Sequence, residues 1–232
     1  MQITLLSHPI SEHTTVPVGA RQPRFEREKC KANGDSCETN WVAFSNHSST
    51  HIDSPSHFIS GGKTLTDFMP DDWHFDHVTL VDWLPDAAGL LKAERLESLS
   101  PGDLAATDLL LIRTGAEQRR SERWYADEGP GIHPDLAREL AACMPNLRAV
   151  GLDAISVSPF QHRELGRETH RILLSHEIIL IEDMRLSTLA SAPDKVIAAP
   201  LLLESLGGAP ATVFAYHLTG EESFVGSELK SS

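Results

Sequence analysis

The chain has 232 residues, 41% of them apolar, and 20 Lys and Arg against 33 Asp and Glu give it a formal net charge of −13. That apolar content at this length builds a sizeable core, and no linker or repeat divides it, so one domain over 1–232 is expected. The negative balance, with no basic patch, excludes a nucleic-acid partner. No long apolar span calls for a membrane, and three cysteines without a signal peptide point to the cytoplasm rather than to a disulfide framework.

In chain order, a strand near Ile3 is followed by extended segments from Arg24 to Phe44. Within them Cys30 and Cys37 flank Asn33-Gly34, a hairpin signal that would set the cysteines opposite each other; in a reducing compartment they are expected to stay free. The next segment, His47-Ser48-Ser49-Thr50-His51-Ile52-Asp53-Ser54-Pro55-Ser56-His57, holds three imidazoles and a carboxylate in eleven residues. Imidazole and carboxylate are preferred ligands of zinc and similar divalent ions, and a bound ion makes water nucleophilic at neutral pH, so a metal-dependent hydrolase is the leading reading.

Geometry refines this. A helix would align His47 with His51 but turn Asp53 away, and no Glu follows His47 as in the helical zincin motif. An extended segment puts all four odd-numbered residues on one side. Four extended residues span roughly 13 Å, so a bend at Ser48-Ser49 is needed for His47 and His51 to reach one ion. Pro55 argues against a helix or a central strand beyond it. Ser60-Gly61-Gly62-Lys63-Thr64 reads as a glycine turn, because the earlier Gly of a phosphate-binding loop falls at His57.

Further on, the pattern predicts a strand over 77–82, a helix over 92–97 and a strand over 108–112. Arg113-Thr114-Gly115 then forms either a pocket-lining turn or a strand-end turn with a solvated arginine. Helices follow over 117–125 and 134–143, the second with Pro134 in its first turn and Leu136, Leu140 and Cys143 on one face, a pattern of core packing. A strand over 149–152, a helix carrying His170 and ending near Ser175, a buried strand over 178–181 with Glu182 at its C-terminal end, and a strand over 212–216 complete the series. Interleaved strands and helices mean an α/β fold. His8 reads as structural or near the pocket, and His74, His77, His133, His162, His176 and His217 lack partners at metal spacing. No Gly-x-Ser-x-Gly elbow offers a serine nucleophile.

The run from His47 to His57 matches a His-x-Gly-x-His-x-Asp-x-Pro-x-His signature except at Ser49. Weaker matches are Leu6-Ser7-His8-Pro9-Ile10, Leu111-Ile112-Arg113-Thr114-Gly115 and the stretch from Val150 to Val157. In these the chain resembles the cyclase superfamily of metal-dependent hydrolases, which includes bacterial kynurenine formamidase and isatin hydrolase. The resemblance implies a swivelling β/β/α fold, a mixed barrel-like β-sheet surrounded by helices. It also implies a homodimer or homotetramer in which N-terminal residues of one subunit close a neighbour's pocket. By the same resemblance His47, His51 and Asp53 bind one divalent ion, zinc or manganese. With two ions per subunit Asp53 bridges to a second, completed by His170 and Glu182, and His57 is the acid/base.

The implied reaction on a small-molecule substrate is hydrolysis of a non-peptide amide by metal-activated water. The substrate is then an aryl formamide such as N-formylkynurenine or a lactam such as isatin. A cyclase, dehydratase or lactone hydrolase would use the same ligands, and a non-catalytic metal-binding protein would not need His57. Two departures from the family pattern are visible. Ser49 stands where the signature has Gly, so a side chain must be accepted where positive φ is wanted. Val16-Pro17-Val18-Gly19 replaces an aromatic segment that packs on substrate, leaving Phe25, Trp41 or Trp73 as candidate replacements.

Overall fold

A computed structural model describes residues 1–218; the remainder of the expected single domain, 219–232, lies outside the described residues. The strands are β1 (Gln2–Leu5), β2 (Arg24–Lys29), β3 (Thr39–Ala43), β4 (His51–Asp53), β5 (His74–Phe75), β6 (Val78–Asp82), β7 (Leu90–Leu91), β8 (Leu109–Arg113), β9 (Gly131–Ile132), β10 (Ala149–Leu152), β11 (Ile179–Glu182), β12 (Lys195–Pro200) and β13 (Gly208–His217). The helices are α1 (Pro101–Ala106), α2 (Arg123–Asp127), α3 (Pro134–Cys143) and α4 (Arg163–Ser175).

The aliphatic runs Leu109 to Ile112, Ala149 to Leu152 and Ile179 to Ile181 are buried along their whole length, as strands covered on both faces must be. They pair in parallel in the order β6-β8-β10-β11, and the sheet continues antiparallel through β4, β13, β12 and β5, with β1 added to β13. Side-chain alternation divides two cores. Leu110, Ile112, Val150, Leu152 and Leu180 point toward Leu136 and Leu140 of α3 and Leu173 of α4. Leu109, Leu111, Ala149, Ile179 and Ile181 point the other way, where they meet Ile52, Phe75, Val196 and Val213 from the far arm of the sheet. The sheet thus curls around its own core while helices cover its outer face. This is the mixed, barrel-like β/β/α arrangement expected. Among the described residues no helix is long and apolar enough to cross a membrane.

Several predicted elements are corrected. The helix over 92–97 is a 3-10 turn, Ala93–Ser98, and α1 begins only at Pro101. A proline disfavours helical backbone in the residue before it and suits a first helical turn, and Ser100 caps the new start by accepting from the Asp103 amide at 3.0 Å. The helix over 117–125 divides into a 3-10 turn, Ala116–Arg119, and α2, with Arg120 between them drawn to Asp183. Asn33-Gly34 is not a two-residue hairpin turn. β2 and β3 do pair, but Asn33 ends a 3-10 turn and Gly34 takes φ 94° in a longer loop closed by the Asp35 carboxylate accepting from the Cys30 amide at 2.7 Å. Cys30 and Cys37 are free thiols there. Cys143 is exposed at the end of α3, and the buried Met144 takes its expected place in the core.

Candidate metal centre

The centre forms where β4 lies between β11 and β13. His51 and Asp53 are two residues apart on β4 and share a face, and the register sets Glu182 opposite His51 and Gly208 opposite Asp53. The chain enters β4 through a bend at Ser48-Ser49, with Ser49 at φ 60°. The strain of that backbone is offset locally: the Ser49 hydroxyl donates to the His8 carbonyl at 2.9 Å and accepts from Arg120 Nη2 at 3.2 Å. The bend returns His47 to the strand, its Nδ1 2.8 Å from Asp53 Oδ1.

Beyond β4, Pro55 does not exclude helical backbone altogether. It opens a 3-10 turn, Pro55–His57, because a proline at the first position loses no hydrogen bond. That turn holds His57 Nε2 3.9 Å from Asp53 Oδ2. From α4, His170 Nε2 comes to 3.5 Å from both Asp53 Oδ2 and Glu182 Oε1, and His51 Nε2 lies 3.3 Å from Glu182 Oε2. His51 Nδ1 is 2.8 Å from the Ser49 carbonyl and His170 Nδ1 is 2.9 Å from the Gly166 carbonyl. A carbonyl only accepts, so both rings carry their Nδ1 proton outward and turn Nε2 toward the carboxylates.

Among the described residues, two triplets of donor atoms lie within 4.8 Å of one another: His47, Asp53 and His57, and His51, Asp53 and Glu182. Asp53 belongs to both. His51, Asp53, His170 and Glu182 are all buried, so two carboxylates sit close together out of water and need positive charge. In the protein without metal the imidazoles supply it. Burial works to lower the pKa of His51, but its bond to Glu182 and the charge of Asp53 prevail and raise it to about 9. Burial is likewise outweighed at His170, where Asp53 and Glu182 raise the pKa to about 10.

The carboxylates respond in the opposite sense. Against burial, His170 and His47 hold Asp53 well below the usual carboxylate range. Burial and the charge of Asp53 push Glu182 up, yet His170 and His51 bring it down to about 2. His57 differs, because burial lowers its pKa to about 4 and leaves it neutral. Asp53 Oδ1, although close to His47, is buried without a hydrogen-bond partner. An orphaned carboxylate oxygen among imidazole nitrogens is a costly arrangement alone and fits a divalent cation.

A family model described as putative cyclase matches residues 4–159. The chain belongs to the cyclase family. Kynurenine formamidase of Bacillus cereus is 28% identical over 205 residues, covering 88% of this chain and 92% of its own. A solved structure of a potential metal-dependent hydrolase with cyclase activity is 26% identical with a TM-score of 0.75, over 94% of this chain and 98% of that one. Isatin hydrolase A from Labrenzia aggregata shares the fold with a TM-score of 0.79 at 22% identity, over 92% and 93% of the two chains.

In this cyclase-family chain the centre opens into a cleft of about 230 Å³ whose walls include Val18, Phe58, Ile155, Phe160, Arg163 and Arg167. The aromatic side chains are therefore Phe58, stacked on His170 at 4.4 Å, and Phe160. Phe25 and Trp41 lie instead on the exposed β2–β3 hairpin, and Trp73 packs in the enclosed core. Phe58 was available to sequence reading as the neighbour of His57, whereas Phe160 is brought in only by the loop before α4.

Gly207 and Gly208 were also missed. A Cβ at Gly207 would stand 2.5 Å from the His57 amide nitrogen, and one at Gly208 would stand 2.4 Å from His47 Cε1. Local sequence carries no signal for either contact.

Arg113 neither lines the cleft nor stands free in solvent. Its Nε donates to Asp82 and its Nη1 to the Leu189 carbonyl. Thr114 and Gly115 bind the Asp153 carboxylate. His162 contacts the Ala88 carbonyl and His133 caps α3. Behind Glu182, Asp183 at φ 53° accepts from Arg120 Nε at 2.7 Å and from the buried Tyr125 hydroxyl at 2.6 Å.

Proposed function

We propose that this protein is a metal-dependent hydrolase of a non-peptide amide, an aryl formamide or a lactam. In this reading His47, His51, Asp53, His170 and Glu182 hold one or two divalent ions, zinc or manganese, and His57 is the acid/base. The observation that carries the reading is the division within the cluster. The Nε2 atoms of His51 and His170 converge on Asp53 and Glu182, while the neutral His57 stands at the cleft edge, 30% exposed. The likeness to kynurenine formamidase and to a potential metal-dependent hydrolase supports the reaction class.

What a bound divalent ion supplies is Lewis acidity toward water and toward a carbonyl oxygen. His57, unprotonated at neutral pH, takes the proton released as a water oxygen bonds to the carbonyl carbon. It returns that proton to the nitrogen as the C–N bond breaks, so a carboxylic acid and an amine leave. Phe58 and Phe160 offer apolar surface to an aryl group and limit water around it. The test is metal analysis combined with turnover assays on formanilide, isatin and simple lactones. Hydrolysis of an amide by metal-loaded protein, abolished by chelation, is expected. No turnover at full occupancy overturns the reading.

A further inference from the structure

Ser49 and Asp183 are two of the four non-glycine residues with positive φ among the described residues, at 60° and 53°. The other two, Glu177 and Ser205, lie in exposed turns. Ser49 and Asp183 are buried, and both adjoin the metal cluster: Ser49 ends the bend that leads into β4, and Asp183 directly follows Glu182 at the end of β11. Buried residues with side chains stay in that conformation only where their surroundings over-determine it.

One guanidinium joins the two. Arg120 Nη2 donates to Ser49 Oγ at 3.2 Å and to Asp183 Oδ2 at 2.5 Å, and its Nε donates to Asp183 Oδ1 at 2.7 Å. A second path closes a ring through the backbone of His8. The Ser49 hydroxyl donates to the His8 carbonyl at 2.9 Å, the His8 amide donates to Thr50 Oγ1 at 2.9 Å, and Thr50 Oγ1 donates to the Asp183 carbonyl. Ser49, Thr50, Arg120 and Asp183 all lie outside the lining of the cleft, so they act on the centre from behind.

Two routes carry the effect to the metal-ligand candidates. The Ser49 carbonyl stands 2.8 Å from His51 Nδ1, and such a bond fixes the tautomer and tilt of a ligating ring. The backbone of Asp183 sets the direction in which the chain leaves Glu182. The two side chains aimed in this way meet with His51 Nε2 3.3 Å from Glu182 Oε2.

We propose that Arg120 and Ser49 are positioning residues of the metal centre, a clamp that sets His51 against Glu182 from outside the cleft. The inference rests on the metal-binding part of the hydrolase reading and adds to it residues that touch neither ion nor substrate.

The test measures zinc affinity of the full chain by chelator competition, well below the melting temperature. Ser49→Ala keeps a side chain at the bend and removes the hydroxyl. Arg120→Gln/Asp183→Asn removes both charges together, so neither is left buried and unpaired, and Asn accepts positive φ. Both variants are expected to bind zinc about tenfold more weakly and to shift the visible absorption of the cobalt-loaded protein. Combining them loses no more than the weaker binder alone, because both break one link. Residues that only hold the fold would lower the melting temperature and leave zinc affinity and the cobalt spectrum unchanged. That result in either variant, or losses that add in the combination, overturns the clamp; if the charge-pair variant does not fold, Ser49→Ala decides.

If the wild type binds no zinc, the metal reading fails and the clamp is judged on the metal-free protein. The His51 Nδ1 proton, held by the Ser49 carbonyl, is then expected as a sharp NMR resonance that exchanges faster with water in the variants. A resonance absent from the wild type, or unchanged in the variants, overturns the clamp.

Discussion

Replacing Gly208 by Ala tests whether the position of His47 depends on a contact across the sheet. The backbone at Gly208 has no positive φ, so the substitution acts through space alone. Its Cβ would lie 2.4 Å from His47 Cε1 and 3.0 Å from both ring nitrogens, whereas ordinary contact begins at 3.4 Å. The ring must therefore retreat by about 1 Å, a displacement that costs roughly 10²-fold in rate when it misplaces a reacting constellation. His47 is the more exposed of the clustered imidazoles on β4 and its approach, with a side chain 21% accessible, so the ring can swing outward without unfolding the sheet. Gly208→Ala is thus expected to keep a melting temperature within a few degrees of wild type while zinc affinity falls about 10- to 100-fold. Chelator competition and kcat/KM on a turned-over amide measure this. Gly102→Ala is the control, since its Cβ would have only Ser100 Oγ nearby at 3.7 Å. Wild-type metal affinity and kcat/KM in Gly208→Ala would refute the reasoning.

Four further outcomes are expected. His57→Ala should reduce kcat about 10²- to 10⁴-fold with metal content retained by elemental analysis, whereas Asp53→Ala should lose both; loss of metal in His57→Ala would make His57 a ligand. Loading the metal-free protein with zinc at pH 7 should release up to two protons, because His51 and His170 have pKa values raised to about 9 and 10 and bind metal only as neutral imidazoles. Titration in weak buffer reads the release, which diminishes as pH rises through that range; no release at pH 7 contradicts the assignment. In the metal-free protein the same two groups add stability that is fully present below their ordinary 6.5 and lost as pH climbs through 9 to 10. Arg120→Met, finally, leaves Asp183 charged, buried and without its cation, which should cost about 3 to 5 kcal/mol and lower the melting temperature by roughly 6 to 20 °C. A shift under 2 °C would remove the Arg120 pair from the account.

The sequence made the β4 segment legible because alternation is a local property: His51 and Asp53 share a face for the same reason that any i and i+2 pair does. The bend at Ser49 followed from reach, since an extended chain would carry His47 too far from Asp53. Glu182 was marked by its place at the end of an aliphatic run, and the parallel strands by their uninterrupted apolar residues. Non-local contacts were not legible. Gly208 meets His47 through the pairing of β13 with β4, and nothing near position 208 indicates an imidazole overhead. Phe160 and Arg163 enter the cleft through a loop and helix far from the motif, and Arg120 breaks its predicted helix to reach a carboxylate 63 residues away.

The most direct test of the account is anomalous diffraction at the metal edge from crystals of the zinc- or manganese-loaded protein. The account predicts one or two anomalous peaks about 2.0 to 2.3 Å from donor atoms of His51, Asp53 and Glu182, with His47 and His170 completing the set and His57 outside bonding distance. A peak bound elsewhere, or one that leaves Asp53 and Glu182 without the metal, would contradict it.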